Sequence, residues 1–253
     1  MKLLPNLIIF SVLTLLSNAN AQYRYAGETL EYRVESLNMP VGSIKLAIDE
    51  IVGTEFSDDY HLNATARTGR LISPLFSVKN VYDNYFHVST FLPSLMRKDV
   101  RQTNIRQNGE IRYDQENHMA SFADTLEWLI PDSCYNFFSM FYLLRELEID
   151  SSDTVRFHLD SENEISRAVV SYTGTRLISS KLGNILSRGY HIHFEPMNSK
   201  KRSWKTDLIT NRLAQQDSEM VIWLSDDNRR IPLHIHFIQR SFDIKLRLQS
   251  ANR

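Results

Sequence analysis

The stretch SFDIKLRLQ, residues 241–249, decides the fold class, because apolar and polar side chains alternate along its whole length. The apolar set is Phe242, Ile244, Leu246 and Leu248, and the charged set between them is Asp243, Lys245 and Arg247. A period of two residues places each set on its own face of a β-strand. Residues 28–36, 44–49 and 60–67 alternate in the same way. The pattern therefore predicts antiparallel strands with one packed face and one solvated face.

One stretch departs from this alternation. Residues 132–147 read DSCYNFFSMFYLLREL, and Phe137, Phe141 and Leu144 recur at helical spacing within them. We predict one helix near residues 133–148, capped by Asp132 or Ser133 and laid against or into a curved sheet. The fold class is then mainly all-β, with curved antiparallel sheets forming an open half-barrel or a sandwich.

The first residues, MKLLPNLIIFSVLTLLSNANAQ, have the pattern of a secretory signal peptide. Lys2 precedes an apolar run of residues 7–16, and Ala19 and Ala21 are spaced as a cleavage site requires. We expect residues 1–21 to be removed and residues 22–253 to form a single β domain. The run is too short to span a bilayer, and no cysteine lies near the cut, so we expect a periplasmic protein that is neither a lipoprotein nor membrane-spanning.

Composition narrows the class of partner. Removing residues 1–21 leaves 28 basic and 30 acidic residues, an overall balance that favours neither nucleic acid nor an anionic membrane surface as partner. Cys134 is the only cysteine, so the chain has no internal disulfide. Its aromatic surroundings favour a buried, inert thiol over a catalytic thiolate.

The stretch WLSDDNRRIPLHIH, residues 223–236, concentrates polar side chains as a site does. Our candidate binding residues here are Trp223, Asp226, Asp227, Arg229 and Arg230. A helix-loop-helix calcium site would need a central glycine and a distal glutamate, and the stretch has neither. The simpler interpretation is a β-hairpin whose turn acids bond their own backbone, with the arginines placed to neutralise those acids.

Two His-x-His pairs are candidate metal ligands: His191 with His193, and His234 with His236. Residues two apart on a strand share a face, so four imidazoles can meet if the two strands are neighbours. The intervening residues are apolar, which favours the alternative that the histidines line the wetter face of the sheet.

Four segments together resemble a known family. They are GETLEYRV (residues 27–34), PVGSIKLAI (40–48), FFSMFYLLR (137–145) and WLSDDNRRIP (223–232), in that order. The chain resembles, over nearly all of residues 25–248, the exported bacterial proteins of domain-of-unknown-function family 3108. This resemblance implies export in a Gram-negative bacterium and a curved, YmcC-like β fold, and it implies no catalytic residue.

The sequence shows no nucleophile elbow, zinc-protease helix, phosphate loop or dinucleotide fingerprint. We therefore expect a non-catalytic periplasmic protein, without a cofactor, that binds an envelope glycan, a lipid or a protein partner. The alternatives are a metal-dependent hydrolase that uses the histidine pairs, and a structural or assembly factor for envelope polysaccharide or outer-membrane components.

Overall fold

The computed structural model describes residues 23–49, 58–123, 125–197, 207–210, 213, 218–239 and 242–252. The predicted signal peptide, residues 1–21, lies outside these ranges. The strands are β1 Thr29–Ser36, β2 Met39–Ile48, β3 Asp59–Thr68, β4 Val78–His87, β5 Pro93–Gln102, β6 Ile105–Asp114, β7 Met119–Phe122, β8 Leu126–Leu129, β9 Cys134–Asn136, β10 Thr154–Asp160, β11 Ile165–Ser180, β12 Gly183–Pro196, β13 Ser218–Ser225, β14 Pro232–Gln239 and β15 Phe242–Asn252. The helix is α1, Phe137–Glu146.

All fifteen strands belong to one open, curved sheet, which confirms the predicted fold class. Its order is β8-β7-β6-β5-β4-β3-β2-β1-β15-β14-β13-β12-β11-β10-β9. Neighbours pair antiparallel except β9 and β10, which are parallel. Since β1 pairs with β15, the first and last strands lie at the centre of the sheet.

Alternation along the strands separates a core face, which α1 covers, from an outer face. In β15, Leu246 and Leu248 are buried, whereas Lys245 and Arg247 between them are partly exposed. Glu35 of β1 departs from the pattern, because it is buried on the outer face. It is held there between the guanidinium groups of Arg33 and Arg247, each 2.7 Å from a carboxylate oxygen.

The helix begins later than the sequence predicts. Asn136 caps it by accepting a hydrogen bond from the amide of Ser139, and the Ser139 hydroxyl accepts one from the amide of Asn136. The prediction of Asp132 or Ser133 as the cap is wrong, because Cys134–Asn136 first pair with β10 and keep the backbone extended. That pairing is non-local and leaves no mark on the local sequence.

The two edges of the sheet approach each other through buried side chains. Asp160, at the end of β10, accepts hydrogen bonds from the Tyr113 hydroxyl and the Trp128 indole, both at 3.2 Å. Lys98 of β5 forms a buried ion pair with Glu162 at 2.6 Å, just beyond β10. Side chains thus link the edges although the strands do not close a barrel.

Within the described ranges, no helix has the length and apolar character needed to cross a membrane.

Candidate functional site

The stretch from Trp223 forms the predicted hairpin, with β13 and β14 joined by a turn. One oxygen of Asp227 accepts hydrogen bonds from the Ser225 hydroxyl at 2.7 Å and from the amides of Arg229 and Arg230 at 3.0 and 3.1 Å. The Ser225 oxygen in turn accepts the amide of Ile231 at 2.7 Å. Asp227 therefore organises the turn, as the hairpin interpretation predicts.

The arginines of the turn do not neutralise its acids. Among the described contacts, neither Arg229 nor Arg230 forms an ion pair with Asp226 or Asp227. The Arg230 guanidinium instead donates to the carbonyl of Leu147 at 2.7 Å. It also donates to the Tyr190 hydroxyl at 3.0 Å, so this side chain fastens the turn to the end of α1.

A second arginine, Arg145 in the last turn of α1, completes this junction from the other side. Its guanidinium pairs with both oxygens of Glu28, at 2.6 and 2.8 Å, and both side chains are buried. It also donates to the carbonyls of Arg229 and Arg230 at 3.0 and 3.1 Å. Burial opposes the charge, but the hydrogen bonds and charge of Glu28 outweigh it and raise the pKa of Arg145 above its ordinary value. We call Glu28, Arg145 and the 229–230 carbonyls the helix clamp.

Sequence reasoning did not identify the helix clamp, although a signal was present. Arg145 follows Phe137 and Phe141 at intervals of four residues, so it continues the apolar stripe of α1. A charged side chain at a position that the helix buries implies a buried partner. The identity of that partner, Glu28, depends on the sheet and is not visible in the helix.

Trp223 lies away from the turn residues, on the outer face. The Arg176 guanidinium covers its ring at 3.8 Å from the centroid. Gly189 lies beneath the ring, where a β-carbon would come within 2.6 Å of it. Trp223 and Arg176 line a groove of about 490 Å³ whose walls also include His191 and Thr175. The five candidate binding residues therefore do not converge on one site.

The histidine pairs lie on the outer face but not on neighbouring strands. β13 separates β12 from β14, so that Val221 stands between His191 and His236 in register. Three of the four imidazoles have acidic neighbours: His191 with Glu219 at 3.1 Å, His193 with Glu195 at 3.5 Å and His236 with Asp243 at 3.0 Å. The described residues include no cluster of three His, Cys, Asp or Glu side chains that could hold a metal ion. The condition for a four-imidazole site is not met, and a metal would need further ligands.

His234 differs from the other three histidines in its surroundings. Burial, together with the charge of Arg247, lowers its pKa to about 4. Its Nε2 atom has no hydrogen-bond partner among the described residues. The imidazole is consequently neutral at physiological pH.

Two potential nucleophiles, Cys134 and Ser94, have different surroundings. Cys134 is fully buried, and burial raises the pKa of its thiol well above the usual range, which keeps it protonated. The Ser94 hydroxyl donates to Asp59, a carboxyl whose pKa burial raises. His87 lies in the same surface groove, but its Nδ1 contacts Ser89 and Thr90.

The core face holds an apolar cavity of about 30 Å³ between the sheet and the first turns of α1. Phe137, Phe138 and Phe141 are buried on the inside of the curve and form one wall of the cavity. The opposite wall includes Ala64 and Ala66 of β3, whose small side chains leave the space open.

Further apolar side chains complete the cavity lining. Ile209 and Leu213 reach it from the described residues between β12 and β13. The hydroxyls of the two tyrosines in the lining bind other groups: Tyr32 donates to the Pro232 carbonyl and Tyr82 to Asp207. A cavity with such walls stays dry and accepts apolar groups.

Comparison with known proteins places the chain in a family. No curated protein matches it. A crystal structure of a beta-barrel-like protein of family DUF1849 from Brucella abortus is similar in fold, with a TM-score of 0.56 at 10% identity over 89% of this chain and 96% of that one. A Parabacteroides distasonis protein described as a "putative lipoprotein" matches at a TM-score of 0.34 and 8% identity, over 90% of this chain and 95% of that one. The profile of DUF3108, described as a protein of unknown function, matches residues 31–249, and the chain therefore belongs to the DUF3108 family.

Proposed function

We propose that this protein is exported, loses residues 1–21 and works in the periplasm by binding the end of an acyl chain of an envelope lipid in the cavity on its core face. The observation that carries the proposal is the apolar cavity between α1 and β3. The proposed role is binding without catalysis.

The chemistry of the lining favours an acyl chain over a glycan or a protein. Sugar hydroxyls lose hydrogen bonds to water on burial and need polar partners in return. The cavity offers ring faces and methyl groups, because its tyrosine hydroxyls bind Pro232 and Asp207. Its volume of about 30 Å³ has room for roughly one terminal methyl group, so it admits the tip of a chain and not a whole lipid.

Cavity-filling variants test this proposal. Ala64→Val and Ala64→Leu add side-chain carbons to the wall, whereas Ala47→Leu, a partly buried position on the outer face of neighbouring β2, is the matched control. Binding is measured by titrating a fluorescent fatty acid and by native mass spectrometry after lipid addition. We expect weaker binding in both Ala64 variants and unchanged binding in Ala47→Leu.

Thermal unfolding separates loss of binding from loss of fold. Overpacking a core costs about 1–3 kcal/mol, so Ala64→Val is the milder probe. Equal binding by wild type and a folded Ala64→Leu, or no binding by wild type at any chain length, would contradict the proposal. The export part is tested separately, by cell fractionation and by an intact mass that begins at Gln22.

A further inference from the structure

One end of the sheet presents apolar side chains to solvent. Because the strands are antiparallel, the β1–β2 turn and the connection from β3 to β4 lie at the same end. The amide of Gly69 donates to the Val41 carbonyl at 2.8 Å and joins the two segments. We call their exposed side chains the apolar tip: Leu37, Met39, Leu71, Leu75 and Phe76, exposed by 76, 55, 92, 81 and 41%.

The apolar tip has an ordered backbone. The carbonyl of Gly69 accepts hydrogen bonds from the amides of Ile72 and Ser73, and the carbonyl of Ile72 accepts those of Leu75 and Phe76. These bonds form helical turns that hold Leu71 and Leu75 outward. Several large apolar side chains gathered at one place on a surface mark an interaction site.

A line of positive charges crosses the outer face beside the apolar tip. Arg67 of β3 stands opposite Lys79 of β4, Lys79 opposite Arg101 of β5, and Arg101 opposite Arg106 of β6. We call these four residues the cation row. Like charges directly opposite one another destabilise a sheet, so such a row calls for a negatively charged partner.

Few acids offset these charges. Residues 67–79 contain Arg67, Arg70 and Lys79 and no acid, and residues 36–44 contain no charged residue. Asp99 pairs with Arg101 at 2.8 Å, which leaves the other members of the cation row without an acid among the described ion pairs. The tip and the row thus combine exposed apolar groups with a net positive field.

We propose that this end of the protein docks on the surface of an anionic lipid bilayer. The apolar tip enters the boundary between headgroups and acyl chains, while the cation row and Arg70 contact lipid phosphates. Stable attachment to a membrane surface takes two such signals, an apolar one and a polybasic one. The connection that carries Leu71, Leu75 and Phe76 joins β3 to β4, the strands of Arg67 and Lys79, so the tip and the row can engage one flat surface.

This inference stands apart from the proposed function, although the two surfaces are close. Ala66 of the cavity wall precedes Gly69 by three residues, about 10 Å along an extended strand. A bilayer held at the apolar tip would therefore lie near the cavity.

Vesicle sedimentation tests the proposal. The protein is expressed from its full gene, and its N-terminus is verified by mass, because an uncleaved apolar run at residues 7–16 would itself bind vesicles. Wild type is mixed with vesicles of phosphatidylethanolamine and phosphatidylglycerol, and with neutral vesicles of phosphatidylcholine. We expect binding to the anionic vesicles that weakens as the salt concentration is raised, because salt screens the charges. Binding to the neutral vesicles should be weaker by about tenfold or more, because only the apolar tip contributes to it.

Variants separate the two contributions. Leu71→Ser with Leu75→Ser should weaken binding about tenfold by removing apolar contact. The matched control is Leu177→Ser with Leu186→Ser, two leucines exposed by 67 and 49% at the opposite end of the sheet, which should bind as wild type does. Arg67→Gln with Lys79→Gln should weaken binding and flatten its salt dependence, whereas Arg156→Gln, an exposed arginine of β10, should not.

Three results would overturn the proposal. The first is that wild type does not bind anionic vesicles at low salt. The second is that the Leu177 and Leu186 control loses as much vesicle binding as the Leu71 and Leu75 variant. The third is that a soluble phosphorylated sugar competes with the vesicles while the Leu71 and Leu75 variant binds them as wild type does. The last result would assign the cation row to a lipid-free phosphate ligand. All substituted side chains are exposed, and a thermal melt of each variant verifies that the fold is intact.

Discussion

Arg145 and Glu28 form a two-pronged ion pair, with N–O distances of 2.6 and 2.8 Å, that is buried where α1 ends and β1 begins. Removing one partner leaves the other charge buried and unpaired. We predict that Arg145→Met or Glu28→Gln lowers the free energy of unfolding by about 3–5 kcal/mol. Urea denaturation followed by circular dichroism measures this loss.

The double variant Arg145→Met with Glu28→Met provides the control. It removes both charges, so it should cost less than the sum of the single changes. Additive losses would show that the two side chains act independently, against the pairing seen in the structure.

Adjacent turn acids should differ in their effect on stability. Asp227→Ala removes the acceptor for the Ser225 hydroxyl and the two amides of the turn, and should cost about 1–2 kcal/mol. Asp226→Ala changes an exposed side chain and should stay within about 0.5 kcal/mol of wild type. Chemical denaturation of both variants measures the difference, and equal losses would contradict the assignment of Asp227 as the organiser of the turn.

His234 should make the fold sensitive to acid. Its pKa of about 4 in the fold lies below the ordinary value of 6.5, so the unfolded chain binds a proton that the folded chain excludes. The stabilisation is complete above about pH 6.5 and is lost as the pH falls from there towards 4. In His234→Gln, the melting temperature should therefore drop less than in wild type between pH 7 and pH 5.

Two measurements check this assignment of His234. An equal drop in the melting temperatures of wild type and His234→Gln between pH 7 and pH 5 would contradict it. A titration of the imidazole by NMR should show a midpoint near 4, and Arg247→Gln should raise that midpoint by removing a neighbouring positive charge.

The positions of the histidine pairs predict little bound metal. After expression in metal-replete medium, elemental analysis should find less than one zinc, copper or iron per chain. One equivalent of metal that disappears in His191→Ala would restore the hypothesis of a metal-dependent hydrolase. His61→Ala, at an unrelated outer-face histidine between Asp49 and Asp83, is the control for non-specific loss.

Local patterns in the sequence predict the faces of the strands well. The alternation in residues 241–249 reappears as buried Leu246 and Leu248 beside the partly exposed Lys245 and Arg247. The turn chemistry of Asp227 was visible because such acids bond nearby amides wherever they stand. Both features depend on neighbours in the chain.

Features that depend on distant residues were not predictable. The helix begins at Phe137 because β9 pairs with β10, and Arg145 is stable in the core because Glu28 lies beside it. Each member of the cation row is an ordinary exposed charge in its own strand. Only the register of four strands brings Arg67, Lys79, Arg101 and Arg106 into one line.

The pairing of β1 with β15 fixes the order in which the sheet can be assembled. Hairpins between successive strands can close as soon as those strands are synthesised, because their contacts are local. The seam that sets Thr29 opposite Asn252 must wait for β15, the last strand described. A nascent chain that stops before residue 242 would hold two half-sheets, with the edges of β1 and β14 unpaired and open to aggregation. Until β15 arrives, the two halves have no common strand.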